Sequence, residues 1–455
     1  MSEQRGQKDW LLDTPIPPLI IRLGIPGVIS MMVTTIYNMV DTWFVARLGT
    51  QAVAACGVTL SIMEMMMSVG YWLGTGGALL IGMLLGAQKK EEANRVGSTA
   101  FFVTLMIGSA FAALGIAFLE PLMRFLGSSE TILPYAKDYG FFILLGFPVM
   151  SGSLVMNAIL RNEGKMKRAM LGIASGGVLN MILDPIFIFF LDMGISGAAL
   201  ATFISQLAGF LLMLFFFVSG QTRIKLSLRR VSLRRGVMGR IMLNGLPSLT
   251  RHGVVMVANT AMNIAAGAVG GDALIAGLSL AGKVMSLVMA VVKGWFQGST
   301  TVFAYNKGAG RHDRVRSAYR FSLGLDLAVA AAIATFILFA AEGVISIFTT
   351  TDPQVTAYGS RALRMQAIAL FAMPVGFASN QLLQAVGEAF KSTFLAAMPQ
   401  GIFYIPAVFL LPIFFGADGV MAAPIVGYGL TALATVPVVR SYFRGGPCPH
   451  PLPKK

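Results

Sequence analysis

The chain has 455 residues, of which hydrophobic side chains make up 56% and charged ones only 12%, and its mean hydropathy is +0.73. No water-soluble domain of this size keeps that balance, so the chain reads as an integral membrane protein. In a soluble protein the net charge of +15 would point to nucleic acid; here the basic residues gather in alternate loops, which argues against that partner.

Apolar stretches long enough to span a bilayer, about 20 residues or more, fall at 16–46, 53–85, 96–119, 131–160, 168–191, 195–219, 237–268, 273–305, 318–341, 354–385, 392–415 and 418–442. They are continuous and do not alternate strictly, which predicts helices and not the strands of a lipid-facing barrel. The predicted fold class is an all-α integral membrane protein with twelve transmembrane helices.

Residues 1–15 form a polar tail with no apolar core followed by a cleavage site, so the first span is expected to act as its own insertion signal. That span carries Pro26, a candidate bend, and then Tyr37, Asn38 and Asp41. The second holds Cys56 and Glu64; the other cysteine, Cys448, lies in the Pro-rich tail, and the pair suggests neither a metal site nor a disulfide. Tyr139 and Asn157 sit on the fourth span. On the fifth, Asn180 and Asp184 are spaced i, i+4 and share a helical face. Pro185 follows, removing a backbone donor and disturbing the carbonyl of Met181. Thr202 opens the sixth span.

A basic stretch, 221–236, separates an N-terminal half (16–220) from a C-terminal half (237–442), and residues 443–455 form a second tail. Lys and Arg cluster after the second, fourth, sixth and eighth spans, which places both termini on the cytoplasmic side of the cell membrane. The halves repeat each other at an offset near 222 residues. Leu23-Gly-Ile-Pro26 is echoed by Asn244-Gly-Leu-Pro247, Gly70-Tyr-Trp-Leu-Gly74 by Gly294-Trp-Phe-Gln-Gly298, and Gly194-Ile-Ser-Gly197 by Gly416-Ala-Asp-Gly419. A duplicated bundle suits alternating access about a central site. The halves differ chemically: Asp41 corresponds to Met262, Asp184 falls beside Ile405-Pro406, and Thr202 corresponds to Pro424.

A carboxylate near the middle of a bilayer costs roughly 2.5 to 3.5 kcal/mol on insertion scales, so Asp41 and Asp184 are expected to turn towards a partner or a wet cavity. With Asn180 and Thr202 they make an oxygen-only set suited to a hard cation such as Na⁺. Protonation would compete with metal binding, so H⁺ is an equal candidate. Tyr37, Asn38, Tyr139 and Asn157 are candidates to extend the hydrogen-bond network; the plainer reading of each is helix-to-helix contact. For Asp184 the plainer reading is a cap on backbone broken by Pro185.

Pro26 with Tyr37-Asn-Met-Val-Asp41, Leu160-Arg-Asn-Glu-Gly164, Leu179-Asn-Met-Ile-Leu-Asp-Pro-Ile-Phe-Ile188 and Gly194-Ile-Ser-Gly-Ala-Ala-Leu-Ala-Thr202 resemble the multidrug and toxic compound extrusion (MATE) family, in its DinF-type prokaryotic branch. The resemblance spans about residues 15 to 442. It implies two pseudo-symmetric six-helix lobes and an antiporter that uses an inward H⁺ or Na⁺ gradient to expel amphipathic, often cationic, organic compounds, as a monomer without a cofactor. It implies an N-lobe cation or proton site at Asp41, Asn180, Asp184 and Thr202, supported by Tyr37, Tyr139 and Asn157, with the first helix bending near Pro26. Val254-Val255 depart from a branch that carries an acidic residue in the seventh helix.

Glu64, Arg251 and Lys283 are candidates for a substrate cavity, with Arg251 and Lys283 set against Glu64 or binding anionic groups themselves. Lys293 and Asp326 are expected near span ends, snorkelling to the interface. A flippase of a lipid-linked precursor, or a narrow metabolite exporter, is the alternative function. An enzyme is disfavoured, because His252, His312 and His450 belong to no catalytic motif.

Overall fold

Without water in the hydrocarbon core, backbone N–H and C=O groups must satisfy one another, and the chain answers with helices throughout. The structure is a computed structural model that describes residues 10–347 and 352–444. The outermost parts of both predicted tails, with Cys448 and His450, lie outside the described residues.

The N-terminal half contains α1 (Ile16–Ala46), α2 (Thr50–Gly86), α3 (Lys90–Ala117), α4 in two pieces (Leu133–Leu145 and Phe147–Asn162, bent by 43°), α5 (Met166–Phe190) and α6 (Gly194–Val218). A helix of 74 residues, Arg235–Gly308, follows. At about 1.5 Å per residue it would run ~110 Å, against about 30 Å of bilayer core, so it cannot be one span. It breaks at Gly271, whose φ of 60° and ψ of −155° are open to glycine alone, giving α7 (235–270) and α8 (272–308). Then come α9 (His312–Ser346), α10 (Pro353–Ala385), α11 (Ala389–Phe415) and α12 (Ala417–Arg444). The described residues thus hold the twelve expected spans, with the broken helix counted twice and the bent pair once.

Three features differ from these expectations. Predicted span 131–160 is bent at Gly146, and a short helix, Leu119–Phe125, lies between α3 and α4. Part of the expected N-terminal tail is also folded: Trp10–Asp13 forms a helical turn whose Leu11 is fully buried.

The repeat is geometric as well as sequential. Gly49 and Gly271, Gln88 and Gly310, Gly164 and Gly387, and Gly194 and Gly416 all take positive φ, pair by pair at the repeat offset. Asn157 donates to the carbonyl of Ala169, and Asn380, its counterpart, donates to that of Ser392 across the same separation of 12 residues. The chain is two six-helix lobes built to one plan.

The lobes meet where α1 and α2 cross α8 and α7. A Cβ on Gly298 of α8 would fall 2.8 Å from the Gly24 nitrogen of α1, and one on Gly76 of α2 would fall 2.7 Å from the Gly245 nitrogen of α7. Gly86 leaves no room for a side chain against the Tyr305 carbonyl, nor does its counterpart Gly308 against that of Met83. Trp72 donates to the Met242 carbonyl (2.9 Å) and Thr301 to that of Arg161 (3.0 Å). All these crossings lie in the helix halves nearest the termini.

The linker runs past the same end. Its backbone nitrogens at Arg223 and Ile224 donate to the buried Glu163 carboxylate (2.8 and 2.9 Å), and those at Lys225 and Ser232 donate to Asn94 and Thr99 of α3 (2.9 and 3.0 Å). Gly86→Val should force α2 and α8 apart at about 1–3 kcal/mol of overpacking and lower the thermal unfolding midpoint in detergent. Gly324→Val, where a Cβ meets nothing within 4 Å, should leave that midpoint unchanged.

Candidate functional site

The N-lobe site forms where α1, α5 and α6 converge. Small residues set the spacing: a Cβ on Gly209 of α6 would lie 2.6 Å from the Gly172 carbonyl of α5, and one on Gly197 would lie 2.6 Å from that of Phe187. Between these two contacts, Asn180 of α5 reaches Thr202 of α6. On the other side, Gly177 of α5 makes room for the Tyr37 ring of α1. Tyr37 and Asp41 are spaced i, i+4, so seating the first aims the second at α5.

Asn180 and Asp184 are 2% and 0% exposed. The Asn180 amide donates to Asp184 Oδ1 at 2.9 Å and lies 3.5 Å from Thr202 Oγ1. Asp41 and Asp184 are electrostatic neighbours across α1 and α5. Asp41 Oδ1, Asn180 Oδ1 and Asp184 Oδ2 are buried and accept no hydrogen bond among the described residues. A buried polar group left without a partner costs about 1–3 kcal/mol, which makes these three oxygens candidates to hold a proton or a cation. Among the described residues the Asp184 side chain bonds to Asn180 and not to a backbone group. Pro185 instead precedes a π-helical turn, Ile186–Phe190, in which the helix re-forms its hydrogen bonds after losing a donor.

The supporting residues separate into two groups. Tyr139, buried on α4, interacts with Asp41 and Asp184, and Tyr37 interacts with Asp41. Cys56 of α2 completes this shell through Tyr139; its sequence context, an apolar helix, carries no signal of that role. Asn38 is exposed. Asn157 is committed to the Ala169 carbonyl at 2.9 Å, roughly 22 Å along α5 from Asp184 at a helical rise. It joins α4 to α5 and stands apart from the carboxylates. Helix α1 passes Pro26 without a break.

The C-lobe holds a cavity of about 510 Å³. Its lining includes Met262 and Pro424, the repeat counterparts of Asp41 and Thr202, so the cavity reaches the part of the C-lobe that matches the oxygen site of the N-lobe. Arg251 lines it, as does Lys293, while Lys283 is exposed and outside the lining. Glu64 of α2 feels the charge of Lys293 and makes no direct ion pair with it. The expectation of snorkelling fails for both residues it covered. Lys293 sits well inside α8 and faces the cavity, and Asp326 is buried at 2% exposure on α9 with Oδ2 unpartnered.

Asn157→Ala should remove the tie to the Ala169 carbonyl, which keeps its own helical partner, and lower stability by about 0.5–1.5 kcal/mol, with Asn380→Ala doing the same in the C-lobe. Neither should abolish efflux of a fluorescent substrate by the folded protein; loss of efflux in a folded Asn157→Ala variant would show Asn157 to be more than a helix tie.

The MatE family model matches residues 26–186 and 247–410, one block in each lobe. The multidrug export protein MepA of Staphylococcus haemolyticus is 25% identical over 423 residues, 93% of either chain, and that of Staphylococcus aureus strain MRSA252 is 24% identical over 429 residues, 94% of either chain. Among solved structures, a MATE transporter in complex with MaL6 aligns at a TM-score of 0.92 with 27% identity, covering 96% of this chain and 98% of that one. A multidrug resistance MATE family transporter in an outward-facing conformation aligns at 0.90 with 27% identity, covering 94% and 96%. This chain belongs to the MATE family of multi-pass membrane transporters.

Proposed function

We propose that the protein is an efflux antiporter of the DinF-type branch, in which inward movement of H⁺ or Na⁺ through the N-lobe drives export of amphipathic organic compounds. The observation that carries this reading is the convergence of three unpartnered oxygens, from Asp41, Asn180 and Asp184. An oxygen-only set fits a proton or Na⁺ and offers nothing to a soft metal. In this reading the coupling ion is cargo, held by Asp41, Asn180, Asp184 and Thr202 and supported by Tyr37 and Tyr139.

Helix α1 is the coupling element. One of its faces presents Tyr37 and Asp41 to α5; Met31, Thr34 and Thr35 line the C-lobe cavity; and Gly24 and Gly27 cross α8. Pro26 lies within that crossing and cannot donate to the Arg22 carbonyl, so α1 is weakest there. A cation or proton that draws Asp41 onto Asp184 therefore moves a helix shared by site, cavity and lobe contact. Charge bias in the loops supports cytoplasmic termini in the cell membrane, and the lobe crossings sit at that end. The described conformation is then outward-facing, with the monomer holding both sites.

The test is efflux from proteoliposomes of a fluorescent amphipath that carries both a carboxylate and an ammonium, under a Na⁺ or a pH gradient imposed separately. Wild type should respond to at least one gradient. Asp41→Asn and Asp184→Asn should each lose the gradient-driven component, a drop of tenfold or more on the scale of one lost charge-assisted interaction, while remaining folded in the membrane. Gradient-driven efflux retained by both variants would remove the N-lobe from the mechanism.

A further inference from the structure

The C-lobe cavity carries positive charge that no acidic residue of its own lining neutralises among the described residues. Arg251 and Lys293 line it, and no Asp or Glu does. Arg251 donates to Asn380 Oδ1 at 2.7 Å and its guanidinium lies over the Phe377 ring at 5.3 Å, so its partners are an amide and an aromatic face. Asn380 is itself fixed to α11, donating to the Ser392 carbonyl and accepting from its hydroxyl at 3.1 Å. The guanidinium is thus aimed by a rigid support and keeps N–H groups free. Lys293 makes no hydrogen bond or ion pair among the described residues; its electrostatic neighbours are Arg251, which repels it, and Glu64 of the other lobe.

Uncompensated cations within the membrane-spanning region are costly and normally find a counter-charge. Here that counter-charge has a place to come from, because about 510 Å³ is within the range of small-molecule pockets, roughly 300–1,000 Å³. Met262, Met285, Met289 and Phe377 supply an adaptable apolar wall beside the two charges.

We propose that the cavity binds an amphipathic organic anion, its carboxylate, sulfonate or phosphate held between Arg251 and Lys293 and its apolar body against the methionines and Phe377. Arg251 suits such a group through its planar fork of donors, and Lys293 as a point charge. The inference rests on reading this cavity as the substrate chamber, and it assigns that chamber to substrates bearing a negative group. The anion has two possible sources, a soluble compound or the headgroup of an anionic lipid.

Direct binding tests it with no gradient present, so the outcome is separate from that of the coupling test. Wild-type protein in phosphatidylcholine nanodiscs, titrated with dansylglycine and with its uncharged amide, should bind the carboxylate about tenfold more tightly, the scale of one charge-assisted contact. Lys293→Gln and Arg251→Gln should each remove most of that preference. Unchanged binding of the amide reports that the cavity is intact, and Lys293→Arg should restore the preference. Equal affinity for carboxylate and amide in wild type, or a preference that survives Lys293→Gln, overturns the proposal. Adding phosphatidylglycerol to the discs separates the sources. Competition that vanishes in Lys293→Gln supports the site with a lipid headgroup as occupant, and absence of competition supports it with a soluble anion.

Discussion

Close backbone contact between lobes, made possible by glycine, is the constraint on which the rest of the architecture depends. Lipid is as apolar as the helices, so burial of apolar surface does little to hold two membrane lobes together; dispersion and short polar contacts must do it. Gly24, Gly76, Gly86, Gly245, Gly298 and Gly308 let α1 and α2 meet α8 and α7 at distances no side chain permits. The contacts obey the internal two-fold relation, Gly86 on Tyr305 matching Gly308 on Met83. Because they cluster at the end carrying the termini, they hold the lobes together there and leave the opposite halves of the helices without a comparable crossing.

On this symmetric frame the chemistry is asymmetric. Matching positions hold Asp41 and Met262, and Thr202 and Pro424. The N-lobe, with carboxylates and amide oxygens packed closely, has acceptors in excess. The C-lobe, with Met262 and Pro424 in place of Asp41 and Thr202, opens into a cavity whose charges are Arg251 and Lys293. One lobe therefore gathers buried acidic and amide oxygens, and the other lines a larger cavity with positive charge. Helix α1 touches both, so occupancy of either bears on the same element. Electrostatic coupling of Glu64 with Lys293 across the lobes adds a second link that lobe movement would alter.

What the amino-acid sequence by itself determined is the part governed by the solvent and by local rules. Hydropathy fixed twelve spans to within a few residues, because each must cross the same thickness of lipid. The i, i+4 spacing of Asn180 and Asp184 placed them on one face, and the repeat offset predicted the two lobes. The intramembrane cost of charge singled out Asp41 and Asp184. Tertiary structure decided which polar residues share a space. Asn157 resembles a site residue in its span but bonds to Ala169, and Cys56 resembles a packing residue but lies beside Tyr139. Lys293, expected at the interface, faces a cavity, while Lys283 on the same helix does not. The reason is that a helix fixes the angle between its own residues and says nothing about its rotation against its neighbours. That rotation is set by the glycine contacts between helices far apart in the chain, and it decides whether a polar side chain meets a partner, a cavity or lipid.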